Sequence, residues 1–396
     1  MTAKEANVKQ WSLSAVYGFV AGVVAAVVLW LMGVVSNLIW SGPEARWYIF
    51  AVVMTGGCII AMLRHLYAGR DLQQQIETVH RPQEGKVRDT AILAVMAVVA
   101  VGFGGAVGPE AGILAVVAEM SVLVSYLIAR NNIAESRLIG EIGAAGALGG
   151  LYGSPPGGAV IAQQHPEAPK LQLYLAGLTG LFGFLFVASR ILPGNPLRVW
   201  LPDHQPAADG TDILFAIPPA LLGAAAGLLF LFLLNWIKSL LDRLGDVRIQ
   251  TIAGTAAFAA LAAALPILRF SGHHELEDLM HWGKDAGFGA LLAIGALKVL
   301  AMALCLAAGW RGGAAFPLLF VGAATGGAVL PLMPGIPTTV ALVAGMSAAL
   351  TTGMGKPLAA MLIALLLIGP IAIGPLCVGT MFGWLASRLL PPQPLH

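Results

Sequence analysis

Long apolar runs separated by short polar segments make up most of the chain. A helix that crosses a bilayer needs about 20 apolar residues. Such runs lie near 12–40, 47–63, 91–106, 171–192, 212–237, 252–268, 287–309 and 358–390, and the last is long enough for two segments. The alternating segments of roughly ten residues that are typical of membrane β-strands do not occur. We therefore predict an all-α polytopic membrane protein embedded in the lipid bilayer.

Composition narrows the class of protein. Only 11% of the 396 residues are charged while 58% are hydrophobic, and a typical soluble protein has about 25% charged residues. A chain this apolar is not expected to be a cytosolic enzyme, a nucleic-acid binder or a secreted disulfide scaffold. The three cysteines lie singly in apolar runs, and no His or Cys spacing matches a metal site. We expect no metal and no cofactor.

Basic residues indicate the orientation in the membrane. Lys4 and Lys9 precede the first apolar run, and the segment 64–90 carries five further Lys or Arg residues. Short cytoplasmic loops are enriched in such residues. The segment 1–10 is therefore predicted to be a cytoplasmic N-terminal segment, and 64–90 a cytoplasmic loop.

Four apolar stretches, 102–128, 139–163, 312–333 and 338–365, are broken by Gly and Pro. Such breaks are tolerated at membrane depth only where they are buried in protein or line a watery cavity. Similar motifs open the first and third stretches, and matching interrupted segments in two halves point to a central transport site. We predict two transmembrane repeat halves, 11–200 and 201–392, and no soluble regulatory domain. The spacing leaves open whether the repeat is inverted or parallel.

The two motifs, Gly105 to Pro109 and Gly313 to Pro317, contain residues that favour the start of a helix. Proline suits the first helical position, so a helix is expected to begin near Pro109. The first N–H groups of a helix lack partners within it and carry the positive end of its dipole. Two such N-termini facing one cavity could hold a dehydrated anion. The alternative is close packing of helices through small residues.

With these motifs the chain resembles the CLC family of chloride channels and proton/chloride antiporters. The first motif is similar to the family's GxEGP motif, and the run Gly312 to Pro317 is similar to its GGxFxP region. Two further runs, which begin at Ser154 and at Ala344, are similar to later motifs of the family. The resemblance implies an inverted repeat of broken, tilted helices, a homodimer with one pore per subunit, and transport of small anions, with chloride expected. It places the anion pathway at Gly105, Ala106, Val107, Gly108, Pro109, Gly313, Ala314, Ala315 and Phe316.

Departures from the family pattern bear on mechanism. The family's gating glutamate falls on Val107, and its internal proton glutamate falls at Gln164 or His165. Because a valine cannot carry a proton, we expect a channel or an uncoupled transporter. The alternative is a proton-coupled antiporter in which Glu110, the residue after Pro109, replaces the missing carboxylate. Glu110 could equally be an acid that stabilises the first turn of a helix.

Other functional classes find little support in the chain. An intramembrane enzyme would need a Ser/His or carboxylate pair at membrane depth, or an HExxH helix. HExxH is absent, and the histidines mostly fall in polar loops. A membrane scaffold has no need of paired broken helices. Arg311 and Lys356, at the second-half motifs, could add positive potential at a pore mouth or extend to the interface. We expect a multi-pass protein of the plasma (inner) membrane, with the preferred anion left open.

Overall fold

The computed structural model describes residues 3–68, 86–128, 132–165, 168–192, 199, 201–207, 209–272 and 275–389. Within these ranges the chain is helical and has no β-strand, so the predicted all-α fold is confirmed. The α-helices are α1 (Ala3–Ile39), α2 (Arg46–Ala68), α3 (Lys86–Gly102), α4 (Glu110–Ile128), α5 (Ile133–Leu151), α6 (Pro155–Ala162), α7 (Lys170–Ile191), α8 (Thr211–Phe215), α9 (Ile217–Asp242), α10 (Val247–Ala264), α11 (Leu276–Ala307), α12 (Ala315–Gly327), α13 (Thr338–Met354), α14 (Pro357–Ile368) and α15 (Ile373–Ser387). Two short 3-10 helices, Pro266–Leu268 and Pro370–Ala372, lie between them.

Seven helical segments in the described part of the chain are long and apolar enough to cross a membrane. They are Gln10–Ile39, Arg46–Leu66, Glu110–Ile128, Lys170–Ile191, Thr211–Asp242, Val247–Ala264 and Gly287–Ala307. The predicted run 358–390 is two shorter helices, α14 and α15, separated at Gly369. The predicted run 91–106 was too long, because α3 ends at Gly102 and its apolar part, Ala91–Gly102, is short.

The chain folds into two compact units. Unit 1 comprises the described residues of Met1–Val35, Leu66–Val98 and Pro109–Leu197, and unit 2 those of Ser36–His65, Val99–Gly108 and Arg198–His396. Both units are discontinuous in sequence. The repeat halves 11–200 and 201–392 remain a prediction.

Unit 1 is packed through small residues. A Cβ built on Gly22 of α1 would lie 1.9 Å from the carbonyl oxygen of Gly180 in α7, and one built on Gly180 would lie 2.1 Å from the Gly146 oxygen of α5. The helix backbones therefore touch directly, as in many membrane proteins. The Tyr17 hydroxyl of α1 lies 2.7 Å from the Ser121 hydroxyl of α4, and the two buried hydroxyls form a hydrogen bond.

Unit 2 uses the same packing around α12 and α13. Every residue of α12 is buried. A Cβ on Gly345 of α13 would lie 2.2 Å from the Gly322 oxygen of α12, and one on Gly223 of α9 would lie 2.3 Å from the Gly345 oxygen. The long helix α11 is kinked at Gly287, whose φ is +79°. The short buried helix α12 is thus held on several sides by the helices of its own unit.

Candidate functional site

The first motif forms a tight loop between α3 and α4. Gly104 has a left-handed backbone conformation with φ of +82°. The Gly105 amide donates to a carbonyl in the last turn of α3 at 2.8 Å, and the Val107 amide donates to the Gly105 carbonyl at 2.8 Å. α4 begins at Glu110, so the predicted helix start near Pro109 is confirmed.

The second motif forms a corresponding loop between α11 and α12. The first residue of α12 is Ala315, its N-cap is Ala314, and no side chain caps it. Phe316 is buried in the first turn. The indole of Trp310, which precedes the motif, is 1% exposed and donates to Thr255 Oγ1 at 2.9 Å. The approach to α12 is therefore held by a buried aromatic side chain.

An isolated antiparallel β-bridge joins the two loops. The Gly108 amide donates to the Gly313 carbonyl at 2.7 Å, and the Gly313 amide donates to the Gly108 carbonyl at 3.0 Å. The Trp310 ring packs against Gly105, where a Cβ would lie 2.6 Å from ring atom Cε3. The structure thus brings together the two motifs that the sequence pairs. An anion at these loops has to be bound by donors other than the two bridging amides, because each of those amides already donates to the carbonyl oxygen of the other glycine.

Val107 packs its side chain against the second loop. It is 2% exposed. A Cβ on Gly312 would lie 2.3 Å from Cβ and Cγ2 of Val107 and 3.0 Å from the Gly108 oxygen, so a side chain at position 312 would push the loops apart. The position at which the family resemblance places a gating glutamate therefore holds a buried hydrocarbon group.

Glu110 is the first residue of α4 and is 4% exposed. The Tyr152 hydroxyl, at the C-terminal end of α5, donates to Glu110 Oε1 at 3.4 Å. The acid occupies the first turn of the helix, where the dipole favours a negative charge. It is also a buried carboxyl group in a membrane-spanning segment, which marks a functional-site candidate.

A second buried carboxyl group lies at the end of α6. Glu141 of α5 is 5% exposed. Its Oε1 accepts hydrogen bonds from the amides of Gln164 at 3.2 Å and His165 at 3.0 Å, and lies 2.6 Å from His165 Nδ1. The His165 side chain is 44% exposed. The positions at which the resemblance places an internal proton glutamate thus contact a carboxylate that another helix supplies.

Two basic residues near the loops were not recognised from the sequence as parts of the site. Arg64 was assigned to a polar loop, but it lies on α2, and its Nη1 donates to the Ala308 carbonyl at 2.9 Å and to Thr251 Oγ1 at 2.7 Å. It thereby holds the end of α11, just before the second loop. Lys298 lies on α11 and is fully buried. The signal for Lys298 was a single basic residue within the apolar run 287–309, whereas Arg64 directly follows the run 47–63. In contrast, Arg311 and Lys356 are exposed.

Comparison with known sequences gives a family assignment. The sequence model described as "Voltage gated chloride channel" matches residues 56–388. The chain is 25% identical over 348 residues to the ion-transport protein YfeO of Escherichia coli O17:K52:H18, covering 82% of this chain and 79% of the relative.

Comparison with solved structures confirms the predicted CLC-like fold. The crystal structure of a CLC-type fluoride/proton antiporter superposes with a TM-score of 0.75 at 18% identity, covering 98% of each chain. That of a slow cyanobacterial Cl⁻/H⁺ antiporter superposes with a TM-score of 0.73 at 17% identity, covering 96% of this chain and 94% of that chain. At these identities the likeness concerns the fold.

Proposed function

The chain belongs to the voltage gated chloride channel family, and we propose that it moves a small inorganic anion across the membrane without coupling to protons. Family members are channels and transporters rather than enzymes, and this chain is a multi-pass anion-transport protein of that family. The observation that carries the uncoupled mechanism is the buried contact of Val107 with Gly312.

The proposed pathway passes the two joined loops. Its residues are Gly105, Ala106, Val107, Gly108, Pro109, Gly313, Ala314, Ala315 and Phe316. The β-bridge holds the loops together, so the first turn of α12 begins next to the first motif. Backbone N–H groups at the start of a helix attract an anion with partial charges that need no ionisable side chain.

The chemistry at position 107 supports the proposed absence of proton coupling. Coupled exchange requires a group that takes up a proton and moves through the anion path. The Val107 side chain does neither, because it is a hydrocarbon and is packed against the second loop at 2% exposure. An anion that crosses this point has no proton to exchange with at residue 107.

The alternative is proton-coupled antiport that uses Glu110 in place of the missing carboxylate. The Tyr152–Glu110 hydrogen bond favours it, since a hydroxyl at 3.4 Å is a proton donor next to a buried acid. The Glu141–His165 contact at 2.6 Å adds a second titratable pair, and its histidine is exposed to solvent on one side. Both pairs lie in unit 1.

Further parts of the proposal come from the family resemblance. We propose chloride as the anion to test first, with fluoride next. We also propose a homodimer, a location in the plasma (inner) membrane, and the two repeat halves 11–200 and 201–392. The fold neighbours named above are described as a fluoride/proton and a Cl⁻/H⁺ antiporter, and these words suggest the anions to compare.

The test is anion efflux from liposomes that contain the purified protein. External chloride or fluoride and external pH are recorded together, with a potassium shunt and no protonophore. Efflux without proton movement is expected. Proton movement at a fixed ratio to the anion would overturn the uncoupled proposal, and failure to move chloride, fluoride or nitrate would overturn anion transport itself.

Glu110→Gln separates the two mechanisms, with the exposed Glu277→Gln as a control that also removes one negative charge. If the protein is uncoupled, neither variant creates or removes proton movement. If Glu110 is the proton carrier, Glu110→Gln abolishes proton movement while anion efflux continues, and Glu277→Gln leaves both unchanged.

A further inference from the structure

Lys298 is completely buried in the membrane-spanning part of α11. Its side chain is 0% exposed, within the span Gly287–Ala307. The ammonium nitrogen Nζ lies 2.9 Å from the carbonyl oxygens of both Arg269 and Phe270, and 3.2 and 3.4 Å from those of the two preceding residues. An ammonium has three N–H donors, so four consecutive carbonyls share them.

The Lys298 ammonium contacts backbone carbonyl oxygens and an aromatic ring. In the part of the chain that the structure describes, none of the ion pairs includes Lys298. The Phe320 ring of α12 lies 5.0 Å from Nζ, which is a cation–π distance. A lysine inside a membrane is unfavourable and indicates a functional role. Here it links α11, α12 and the segment 266–270.

The segment that Lys298 holds also supports the first loop. The Phe270 amide donates to the Gly104 carbonyl at 3.2 Å, immediately before the first motif. Phe270 has φ of +54° and is the one non-glycine residue with positive φ in the described chain. An aromatic residue keeps this conformation only where its surroundings impose it. The carbonyl of Phe270 is one of the two closest to the Lys298 ammonium.

Trp40 also links the segment 266–270 to the chain just before the first loop. Its indole nitrogen donates to the Gly102 carbonyl at 3.0 Å. Its ring makes an edge contact with Phe270 at 5.7 Å, and the Arg269 guanidinium lies 4.3 Å above it. The loop is therefore fastened to the segment that the ammonium fixes, and the path from the ammonium to the loop is two hydrogen bonds long.

We infer that Lys298 is a positioning residue of the anion pathway, whose ammonium sets the place of the first loop through Phe270 and Gly104. The inference rests on the proposed anion transport. Loss of the ammonium releases the Phe270 backbone and lets the loop shift relative to the first turn of α12. Because an anion site distinguishes ions by the placement of its donors, the shift changes the relative permeability of anions.

The experiment compares Lys298→Met, Lys298→Gln and Lys298→Arg with Lys238→Met, which removes an exposed lysine of α9 in the same unit. The chloride-to-fluoride permeability ratio is measured in liposomes, because this ratio does not depend on the amount of folded protein. Amide hydrogen exchange of Phe270 is measured in the same samples. We expect Lys298→Met to change the ratio about fivefold or more and to speed Phe270 exchange about tenfold or more, with a smaller effect for Gln.

Rescue and failure are distinguishable. Arg keeps the charge and the N–H donors but is a larger, planar group than an ammonium, so we expect Lys298→Arg to change the ratio less than Lys298→Met does, while Lys238→Met stays within about twofold of the wild-type ratio. An unchanged ratio and unchanged Phe270 exchange in Lys298→Met would refute the inference while leaving anion transport intact. If no Lys298 variant folds and Lys238→Met does, Lys298 serves folding and the inference is wrong. If the wild type moves no anion, the proposed function fails, and faster Phe270 exchange alone does not save the inference.

Discussion

Gly312→Ala is expected to separate the two loops of the site. The new Cβ would lie 2.3 Å from Cβ and Cγ2 of Val107, whereas carbon atoms prefer about 3.5–4.0 Å. The loops must therefore move apart by about 1 Å or more. The bridge bonds between Gly108 and Gly313 start at 2.7 and 3.0 Å, and such a movement takes both beyond hydrogen-bonding distance.

The magnitude follows from those two bonds. Each is worth about 0.5–1.5 kcal/mol net, so their loss costs about 1–3 kcal/mol, the same range as overpacking a core. Position 312 does not have a positive φ in the structure, so the alanine itself is not strained. Gly289→Ala, on α11 with nothing within 4 Å of its Cβ, is the matched control and should be neutral or stabilising by up to about 1 kcal/mol.

A double-mutant cycle with Val107→Gly tests the contact itself. Val107→Gly alone is destabilising because it removes a buried side chain, but it also removes the atoms with which the new methyl group collides. The double variant should be more stable than the sum of the single effects by about 1–3 kcal/mol. Equilibrium unfolding of the detergent-solubilised protein measures this coupling, and anion efflux should recover in parallel. Additivity within about 0.5 kcal/mol would refute the proposed clash.

Three further predictions concern the scaffold. Gly22→Ala should prevent stable folding, because the new Cβ would lie 1.9 Å from a backbone oxygen. Gly33→Ala on the same helix is the control, because nothing lies within 4 Å of its Cβ. Thermal melts compare the two variants. Arg64→Met should lower the free energy of unfolding by about 1–3 kcal/mol, because the Ala308 carbonyl loses a charged donor, and unchanged stability would show that water replaces the guanidinium. The guanidinium of Arg248 hydrogen-bonds the Asp246 carboxylate and lowers the pKa of Asp246 to about 2. The stabilising effect of the ionised carboxylate is therefore present above its ordinary pKa of 3.8 and is lost as pH falls through about 2. When melting is followed against pH, this loss of stability should be absent in Asp246→Ala.

The sequence was sufficient to predict the helical membrane fold and the start of α4. Apolar runs of spanning length predicted the helices, and proline chemistry predicted a start near Pro109, which the structure has at Glu110. These features depend on local composition and backbone geometry. The end of α3 at Gly102 was missed because the apolar run continues through 103–107, and hydropathy does not register the left-handed turn at Gly104.

The contacts within the site could not be predicted in the same way. Pairing of Gly108 with Gly313 depends on tertiary structure, and glycine at both positions carries no register information. The place of Glu141 beside His165 was missed because the carboxylate comes from a different helix. Lys298 was missed because a lone lysine in an apolar run shows nothing of the four carbonyls that surround it.

The β-bridge also has a consequence for biosynthesis. Roughly 200 residues of chain separate its two glycines, so the bridge forms only after the second loop has been synthesised. The carbonyls around Lys298, in contrast, lie about 30 residues before it, and this contact closes a short loop. The ammonium can find its partners soon after α11 enters the membrane, whereas the two loops meet late. A nascent chain would thus bury the Lys298 side chain first and join the two loops afterwards.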